Sequence, residues 1–276
     1  MIYYAVDTSR LHLYLVRLSL QSLRRWNSDI EVKVFCYGDV PAASRRGFLK
    51  LGAEVVSMRK PKAIPATFLK WHALRGMENS RVLYVDSDTL FFGDPLKLFR
   101  KFKTRDFYAR EEYGTRPGVG FQLLGNSVLE PQIYDKKLKA ISLILGFKRR
   151  PIFNTGVMLF NNGFAGKMGK RFDEMTEVFR TFVEHPGYYP AENPHLMDEV
   201  VSSIVFGRLP RFSYERISKK VSPWYCEWKA GVVSSPGIVM HSWSKYSPYF
   251  VREFVGAREA AKLPFLIPVE NGYVEY

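Results

Sequence analysis

Residues 81–95 read RVLYVDSDTLFFGDP, and this stretch carries the strongest indication of the fold. Its first half, Val82 to Val85, is an apolar run without a turn residue, which is typical of a buried strand in a parallel sheet. The run ends on Asp86-Ser87-Asp88, so two carboxylates stand one residue apart. Like charges about 4 Å apart repel by about 4 kcal/mol at an effective dielectric constant near 20. A compensating charge is therefore expected beside this pair.

A divalent cation is the simplest compensation for Asp86 and Asp88. Mg²⁺ and Mn²⁺ bind hard carboxylate oxygens and keep positions open for phosphate oxygens. The alternative is that the aspartates cap the following turn, but capping needs one aspartate and not two. The pair therefore predicts a metal site at the end of a buried strand.

The residues around this stretch alternate between strand and helix patterns. Strands are predicted over residues 2–6, 31–37, 53–57, 82–85 and 237–241, and residues 152–160 are apolar around a central Asn154-Thr155-Gly156. Helices are predicted over residues 11–26 (capped by Ser9), 41–51, 67–77, 129–145, 172–183 and 194–206. Alternation of this kind indicates an α/β domain with a mostly parallel sheet. Ligands of such sheets bind beyond the carboxyl ends of the strands, where Asp7 also lies.

Composition limits the class of protein. The chain has 276 residues, of which 46% are hydrophobic, enough for a sizeable core. No apolar run reaches the length of a membrane span. The first residues lead into a strand without a signal-peptide pattern, and two cysteines do not form a disulfide framework. A cytoplasmic location, or one peripheral to the inner face of a membrane, is the expectation.

The net charge of +14 bears on the binding partners of the chain and not on its fold. It favours an anionic partner such as nucleic acid, an acidic membrane surface or an acidic glycan. Residues 97–150 carry 13 basic and 5 acidic side chains, so they supply +8 of this charge. A solvated basic face is the alternative.

Together, these motifs resemble the GT-A-fold glycosyltransferases of family 8, the group that includes glycogenin and bacterial lipopolysaccharide glycosyltransferases. The resemblance spans residues 2–250 and implies a Rossmann-like, mostly parallel sheet with flanking helices. It implies one domain over residues 1–276, with a nucleotide-sugar-binding half at 1–95, an acceptor-side half at 96–250 and an extension at 251–276. It also implies a retaining transfer from a nucleotide-diphosphate sugar, with UDP-sugar the expected donor and Mn²⁺ or Mg²⁺ the cofactor.

The resemblance assigns several residues to the donor. Ala5 and Asp7 resemble the end of the family's first strand, which contacts the base and ribose. Lys70 is similar to a basic residue that reaches the donor. Asp86-Ser87-Asp88 is similar to the family's DxD motif, which binds the metal and the diphosphate.

Residues of the second half complete the implied site. Residues 153–159, FNTGVML, are similar to the family's FNSGVML stretch, so Asn154 and the backbone at Gly156 are expected to line the sugar pocket. Asp198-Glu199 resembles an Asp-Gln pair near the reacting carbon. Asp198, Glu199 and Asn154 are therefore the implied catalytic residues, with Asp198 the candidate should a covalent nucleophile exist.

His241 and Lys245 resemble the C-terminal motif HxxGxxKPW, in which the His binds the metal and the Lys binds phosphate. Lys245 follows His241 by four positions instead of six, and the Gly of the motif is missing. This departure weakens the assignment of Lys245. Glu199 in place of Gln adds a charge to the sugar or acceptor contacts.

Simpler roles exist for the same residues. Asp7 could cap the next helix, Lys70 could be solvated, Asp198 and Glu199 could complement a helix dipole, and His241 could be a core histidine.

Competing functions also remain. VLYVDSDTL fits the DxDxT motif of haloacid-dehalogenase-type phosphatases. These enzymes also need a second acidic pair further along the chain, such as GDxxxD. Gly93-Asp94 could begin that motif, but Leu98 stands where its second Asp should be. A sugar nucleotidyltransferase would need a Gly-rich loop after the first strand, and a non-catalytic nucleic-acid-binding protein would not need the paired carboxylates. The expected acceptor is a glycan or glycolipid at a membrane surface, or alternatively hydroxylated bases of DNA. The oligomeric state is unknown.

Overall fold

The structure is a computed structural model that describes residues 1–62, 64–77, 81–111, 153–185, 197–229, 231–242, 247–260, 266–269 and 272–275. The chain forms two compact units. Unit 1 consists of Met1–Lys60, Leu83–Lys101 and Ser218–Tyr276, and unit 2 consists of Pro61–Val82 and Phe102–Ile217. The single domain implied above, with its divisions at residues 95 and 250, remains a prediction.

The strands are β1 (Ile2–Asp7), β2 (Val32–Tyr37), β3 (Ala53–Met58), β4 (Val82–Val85), β5 (Thr89–Phe91), β6 (Phe107–Glu111), β7 (Phe153–Phe160), β8 (Tyr214–Arg216), β9 (Val239–His241), β10 (Leu266–Val269) and β11 (Gly272–Glu275). The α-helices are α1 (Arg10–Arg24), α2 (Ala42–Lys50), α3 (Leu69–Ala73), α4 (Leu96–Lys101), α5 (Phe164–Gly169), α6 (Phe172–Glu184), α7 (Met197–Gly207), α8 (Tyr225–Lys229), α9 (Ser247–Phe254) and α10 (Ala257–Ala260). No helix in these described ranges is long and apolar enough to cross a membrane.

Unit 1 contains a parallel sheet in the order β3-β2-β1-β4. Asp7 pairs with Tyr37, and Tyr37 pairs with Met58, so the carboxyl ends of three strands lie side by side. β1 and β4 are buried along almost their whole length, as expected for parallel strands that are covered on both faces. The predicted α/β class with a mostly parallel sheet is confirmed.

Helix α1 begins where the sequence predicts, because the Ser9 side chain accepts a hydrogen bond of 3.3 Å from the His12 backbone nitrogen. Its leucines form one apolar face that packs into a cluster with β5, β9 and the C-terminal helices, through Leu11, Leu15, Leu18, Leu90, Tyr225, Met240, Phe250 and Val251. The helix ends at Arg24, whose guanidinium donates to the carbonyls of Leu51 and Gly52.

Unit 2 contains strands in the order β7-β6-β8, with β6 antiparallel to β7 and parallel to β8. Every residue of β7 is buried. Its core is built from closely packed phenylalanine rings, including Phe107, Phe153, Phe160, Phe164 and Phe206. β7 is therefore a rigid support for the polar side chains that it carries.

The predicted helix over residues 67–77 is wrong in one respect, because it is three short pieces. A 3₁₀ turn at Ala66–Phe68 precedes α3, and a second 3₁₀ turn at Leu74–Gly76 follows it. α5 packs so closely on the second turn that a Cβ atom at Gly169 would collide with the Leu74 carbonyl group. Tertiary packing therefore replaces a continuous helix with tighter connecting turns. The predicted helix at 129–145 lies outside the described residues.

The contact at Gly169 yields a stability prediction. We expect Gly169→Ala to lower the free energy of unfolding by about 1–3 kcal/mol, because the new methyl group meets backbone that must move. Gly47→Ala in α2 is the matched control, since a methyl group there would meet nothing within 4 Å and alanine favours helix by about 1 kcal/mol. Urea unfolding of the three proteins measures both changes, and equal stability of Gly169→Ala and the parent would contradict the packing argument.

Candidate metal centre and buried polar cluster

Asp86, Asp88 and His241 converge in unit 1. One ligand atom from each lies within 4.8 Å of the other two, with His241 Nε2 at 3.2 Å from Asp88 Oδ1 and 3.5 Å from Asp86 Oδ2. The aspartates follow β4 directly, and His241 is the last residue of β9. Two carboxylates and one imidazole are a donor set that suits Mn²⁺ or Mg²⁺ when other positions stay open for oxygen ligands.

Backbone pairing brings these three side chains together. β5 starts right after the aspartates and pairs antiparallel with β9, which sets Thr89 opposite His241. The Ser242 backbone nitrogen donates to the Asp88 carbonyl at 2.9 Å. Around Asp86, the Tyr84 hydroxyl donates to the carboxylate, and Thr89 Oγ1 donates to the backbone carbonyl at 2.8 Å. The geometry of the three ligands is therefore fixed by the same strands that form the core.

Asp7 lies at the carboxyl end of β1, and Ala5 is buried within the same strand. The Asp7 carboxylate accepts from His12 Nδ1 at 2.7 Å and from the Ser9 backbone nitrogen at 3.2 Å. Burial acts to raise the pKa of Asp7, but the hydrogen bonds and positive charge of His12, together with Ser9, outweigh it and lower the pKa to about 2. Asp7 thus holds the start of α1, and its contact with a donor stays a prediction.

A second group of polar side chains is buried in unit 2. Lys70 Nζ lies 3.1 Å from Asp198 Oδ2 and donates to Thr155 Oγ1 at 2.8 Å. The Thr155 hydroxyl in turn donates to the same Asp198 oxygen at 2.6 Å. All three side chains are buried: Lys70 lies on α3, Thr155 on β7 and Asp198 on α7. The ion pair is thus enclosed and bridged by a hydroxyl group.

Glu199 extends this cluster along β7. Its Oε1 atom accepts from Asn154 Nδ2 at 3.2 Å and from the Thr155 backbone nitrogen at 3.3 Å. Asn154 Oδ1 accepts from the Gly156 backbone nitrogen at 3.1 Å. Residues 154–156 of β7 and the first turn of α7 therefore interlock through side chains, and we call residues 70, 154, 155, 198 and 199 the buried polar cluster.

The structure brings most of the predicted site residues into these two groups. Ser87 lies half-buried in the turn between the two metal-site aspartates, and Gly156 is buried in β7. Lys245 lies outside the described residues. The residue that sequence reasoning missed is Thr155, which sits inside the quoted FNTGVML stretch. A hydroxyl in a strand that is otherwise apolar needs a hydrogen-bond partner, and this signal could have identified it.

Known proteins resemble the chain in fold and not in sequence. No family model and no curated protein matches it. Among solved structures it is similar to the glycosyltransferase GlyE of Streptococcus pneumoniae TIGR4, with a TM-score of 0.59 and 16% identity over 94% of this chain. The match covers 60% of GlyE, so the chain spans about three-fifths of the length of that protein.

Two structures of LgtC match over nearly the full length of both proteins. LgtC in complex with donor and acceptor sugar analogs gives a TM-score of 0.59 at 14% identity, and an active-site mutant of LgtC gives 0.61 at 16%. Each match covers 98% of both chains. At these identities the similarity defines the fold, and the chain has the GT-A glycosyltransferase fold.

Proposed function

We propose that this chain is a metal-dependent glycosyltransferase, which moves a sugar from a nucleotide-diphosphate sugar to a hydroxyl acceptor. The observation that carries the proposal is the convergence of Asp86, Asp88 and His241 at the end of the buried strand β4. The glycosyltransferase fold supports the same assignment, and UDP-sugar is the expected donor.

Asp86, Asp88 and His241 would hold Mn²⁺ or Mg²⁺. When bound, the metal supplies Lewis-acid neutralisation of the negative charge that develops on the departing nucleoside diphosphate. The hydrogen bond from Tyr84 orients the Asp86 carboxylate, and the pairing of β5 with β9 orients His241. Ala5, Asp7, Ser87 and Lys245 are the further residues proposed to contact the donor.

Asp198, Glu199 and Asn154 are the proposed catalytic residues, with Lys70 and Gly156 as donor contacts. The buried polar cluster supports this proposal because its hydrogen bonds hold the Asp198 and Glu199 carboxylates each in one orientation. Preorganised polar groups of this kind stabilise charge in a transition state without reorganising during the reaction. Retention of anomeric configuration, as in family 8, is the proposed stereochemical outcome.

The acceptor is proposed to be a polyanionic or membrane-associated glycan or glycolipid, and the alternative is DNA with hydroxylated bases. The supporting observation is the basic segment 97–150. Within its described part, Lys97, Arg100, Lys101, Lys103 and Arg105 are exposed. Its remaining basic residues, apart from the half-buried Arg110, lie outside the described residues.

The first prediction from this proposed function tests the metal-dependent transfer. With a panel of nucleotide sugars and Mn²⁺ or Mg²⁺, we expect the protein to hydrolyse one donor slowly and to lose this activity in EDTA. Asp86→Asn and Asp88→Asn should each lower the activity by about 100-fold or more, because each replaces an anionic ligand of the Lewis acid by a neutral amide. Their stability should not fall, since like-charge repulsion is relieved.

Asp29→Asn, an exposed aspartate that follows α1, is the matched control and should keep full activity. Calorimetric titration with Mn²⁺ should show weaker binding for the Asp86 and Asp88 variants only. Full donor hydrolysis in EDTA would contradict the proposal. Phosphate release from a simple aryl phosphate ester that disappears in Asp86→Asn would support the phosphatase alternative instead.

The buried ion pair gives a second prediction, on stability. Lys70→Met should lower the free energy of unfolding by about 3–5 kcal/mol, because the Asp198 carboxylate stays buried without its cation. Asp198→Leu in addition should restore much of this loss, so the double-mutant cycle gives a large coupling energy. Thr155→Val should cost about 1–3 kcal/mol, and Thr155→Ser much less, since serine keeps the hydroxyl group.

Denaturant unfolding measures all of these variants, with the exposed Lys219→Met as the control for loss of a lysine. Additive effects of Lys70→Met and Asp198→Leu would contradict the direct pairing. If the double variant folds but has lost donor hydrolysis, the result agrees with a role of the pair in catalysis as well as in folding.

A third prediction separates the two acceptor classes. If the acceptor is polyanionic, Lys103→Glu with Arg105→Glu should weaken transfer more at about 50 mM than at about 500 mM salt, because salt screens contacts between exposed charges. Transfer should be assayed with lipopolysaccharide core glycolipid and with duplex DNA that contains hydroxymethylated bases. Transfer to a neutral sugar acceptor at the same rate by parent and variant would identify the basic segment as a solvated surface only.

A further inference from the structure

Unit 1 exposes large apolar side chains at the ends of three helices. Trp26 follows α1 and is 51% exposed, Leu49 lies in the last turn of α2 and is 54% exposed, and Leu96 starts α4 and is 39% exposed. Elsewhere in the described chain, only Val183 and Tyr249 are large apolar residues of comparable exposure. Exposed apolar side chains that are gathered together indicate an interaction site.

Hydrogen bonds hold these three helix ends beside each other. The Trp26 indole nitrogen donates to the Phe91 carbonyl at 3.1 Å, and Asn27 Nδ2 donates to Asp94 Oδ1 at 3.1 Å. The same Asp94 atom accepts from the Leu96 backbone nitrogen, which links the start of α4 to the end of α1. Arg24 links the end of α2 to the end of α1 through the carbonyls of residues 51 and 52.

These helix ends lie at the edge of unit 1 that is opposite to the metal cluster. α1 returns from the carboxyl end of β1 to its start, where the Ile2 nitrogen donates to the Glu31 carbonyl. β4 runs parallel to β1, and Asp86 and Asp88 follow its carboxyl end. A partner bound at the helix ends would therefore leave the metal ligands accessible.

The same edge carries a surplus of exposed cations. Arg25, Lys50 and Lys97 are exposed, and each is adjacent in sequence to Trp26, Leu49 or Leu96. The nearby acids are largely engaged, since Asp94 lies 3.6 Å from Arg100 and Glu54 lies 3.0 Å from Lys33. Asp29 is the exposed acid closest in sequence to Trp26. Positive charge around apolar side chains fits an anionic partner that is also apolar.

Beside Trp26 lies a cavity of about 190 Å³ with both polar and apolar walls. Arg25 and Trp26 form part of its lining, together with Leu18, Leu90, Phe92 and Phe254. This volume is smaller than the typical pocket for a whole small molecule. It is large enough for one apolar group, and Arg25 gives its lining a positive charge.

We propose that the edge of unit 1 formed by Trp26, Leu49 and Leu96, with Arg25, Lys50 and Lys97, binds the surface of an anionic lipid bilayer. Tryptophan prefers the level of lipid headgroups, and the aliphatic stems of Lys and Arg cover apolar surface while their charges reach phosphate. Each Lys or Arg near an anionic membrane strengthens binding about fivefold. Membrane binding at this edge would bring the chain to the membrane-associated acceptor proposed above. The binding itself does not depend on sugar transfer by the chain.

The test is vesicle binding by the full chain. Sedimentation with vesicles of phosphatidylcholine and phosphatidylglycerol, mixed at about 70:30, should show binding that falls as salt is raised, and pure phosphatidylcholine should bind much less. The triple variant Arg25→Glu, Lys50→Glu, Lys97→Glu should bind at least about tenfold more weakly, because three favourable charges become unfavourable. Lys219→Glu with Lys220→Glu, two exposed lysines elsewhere in unit 1, is the charge control and should change binding less than about twofold.

Tryptophan fluorescence locates the contact. Emission should shift to the blue on binding to the anionic vesicles, and Trp26→Phe should abolish this shift while retaining most of the binding. Leu49→Ser should weaken binding without changing the thermal unfolding temperature. Equal binding to both vesicle types, equal loss in the charge control, or a blue shift that persists in Trp26→Phe would overturn the proposal.

One further outcome identifies another partner. Self-association in analytical ultracentrifugation that Leu49→Ser disrupts, without vesicle binding, would mean that a second copy covers this edge and would overturn the proposal. Donor hydrolysis is measured in the same variants without vesicles. If vesicle binding fails while metal-dependent hydrolysis persists, the membrane inference is wrong and the proposed transfer stands, whereas loss of hydrolysis alone refutes only the transfer.

Discussion

The electrostatics of two aspartates at the end of a buried strand constrain much of unit 1. β4 is apolar and buried throughout, and its continuation carries Asp86 and Asp88, whose carboxylates both lie within 3.5 Å of His241 Nε2. Their mutual repulsion is relieved by a cation held between them and by hydrogen-bond donors such as the Tyr84 hydroxyl. The chain brings the His241 imidazole to the same place on β9, from far along the sequence, as a third ligand atom for such a cation. The pairing of β9 with β5 and the hydrogen bond from the Ser242 nitrogen to the Asp88 carbonyl are the structural means of keeping it there.

The buried polar cluster of unit 2 also compensates a buried carboxylate, but it does so with a lysine and a hydroxyl group of the chain itself. A charge taken out of water is costly unless it is paired and hydrogen-bonded, and a buried pair is weak evidence for stability as such. Apolar side chains in place of Lys70, Asp198 and Thr155 would avoid this cost, because most of the buried residues around them on β7 and α7 are apolar. A cluster that stability alone does not require, on strands and helices that fix its geometry, is the kind of arrangement in which binding or catalysis is expected.

The parallel strands, α1 with its Ser9 cap and the strand before the paired aspartates could be predicted from the sequence, because each depends on neighbours in the chain. The break of the 67–77 helix could not be predicted, because it results from packing of α5 against the Leu74 backbone. Thr155 was missed for a related reason. The sequence signals that its hydroxyl needs a partner, but it does not identify Lys70 and Asp198, which are 85 and 43 residues away. His241 and Asp198 were named through a family resemblance, and their geometry came only from the folded chain.

Parallel strands give unit 1 two chemically different edges. At the carboxyl edge, Asp7, Asp86 and Asp88 lie at or just beyond the ends of two adjacent strands. Ligands of such sheets bind at this edge, so the negative side chains lie where a cation is expected. At the opposite edge the helices end, and basic residues such as Arg24, Arg25 and Lys50 sit in or beside their last turns, where cations are favoured by the helix dipole. Arg24 uses that position to bind backbone carbonyls, whereas Arg25 and Lys50 face solvent beside Trp26 and Leu49. The separation of charge thus follows from strand direction and helix polarity. It places the acidic cluster that suits a metal and the cationic, apolar surface proposed to bind a membrane at opposite edges of one small unit.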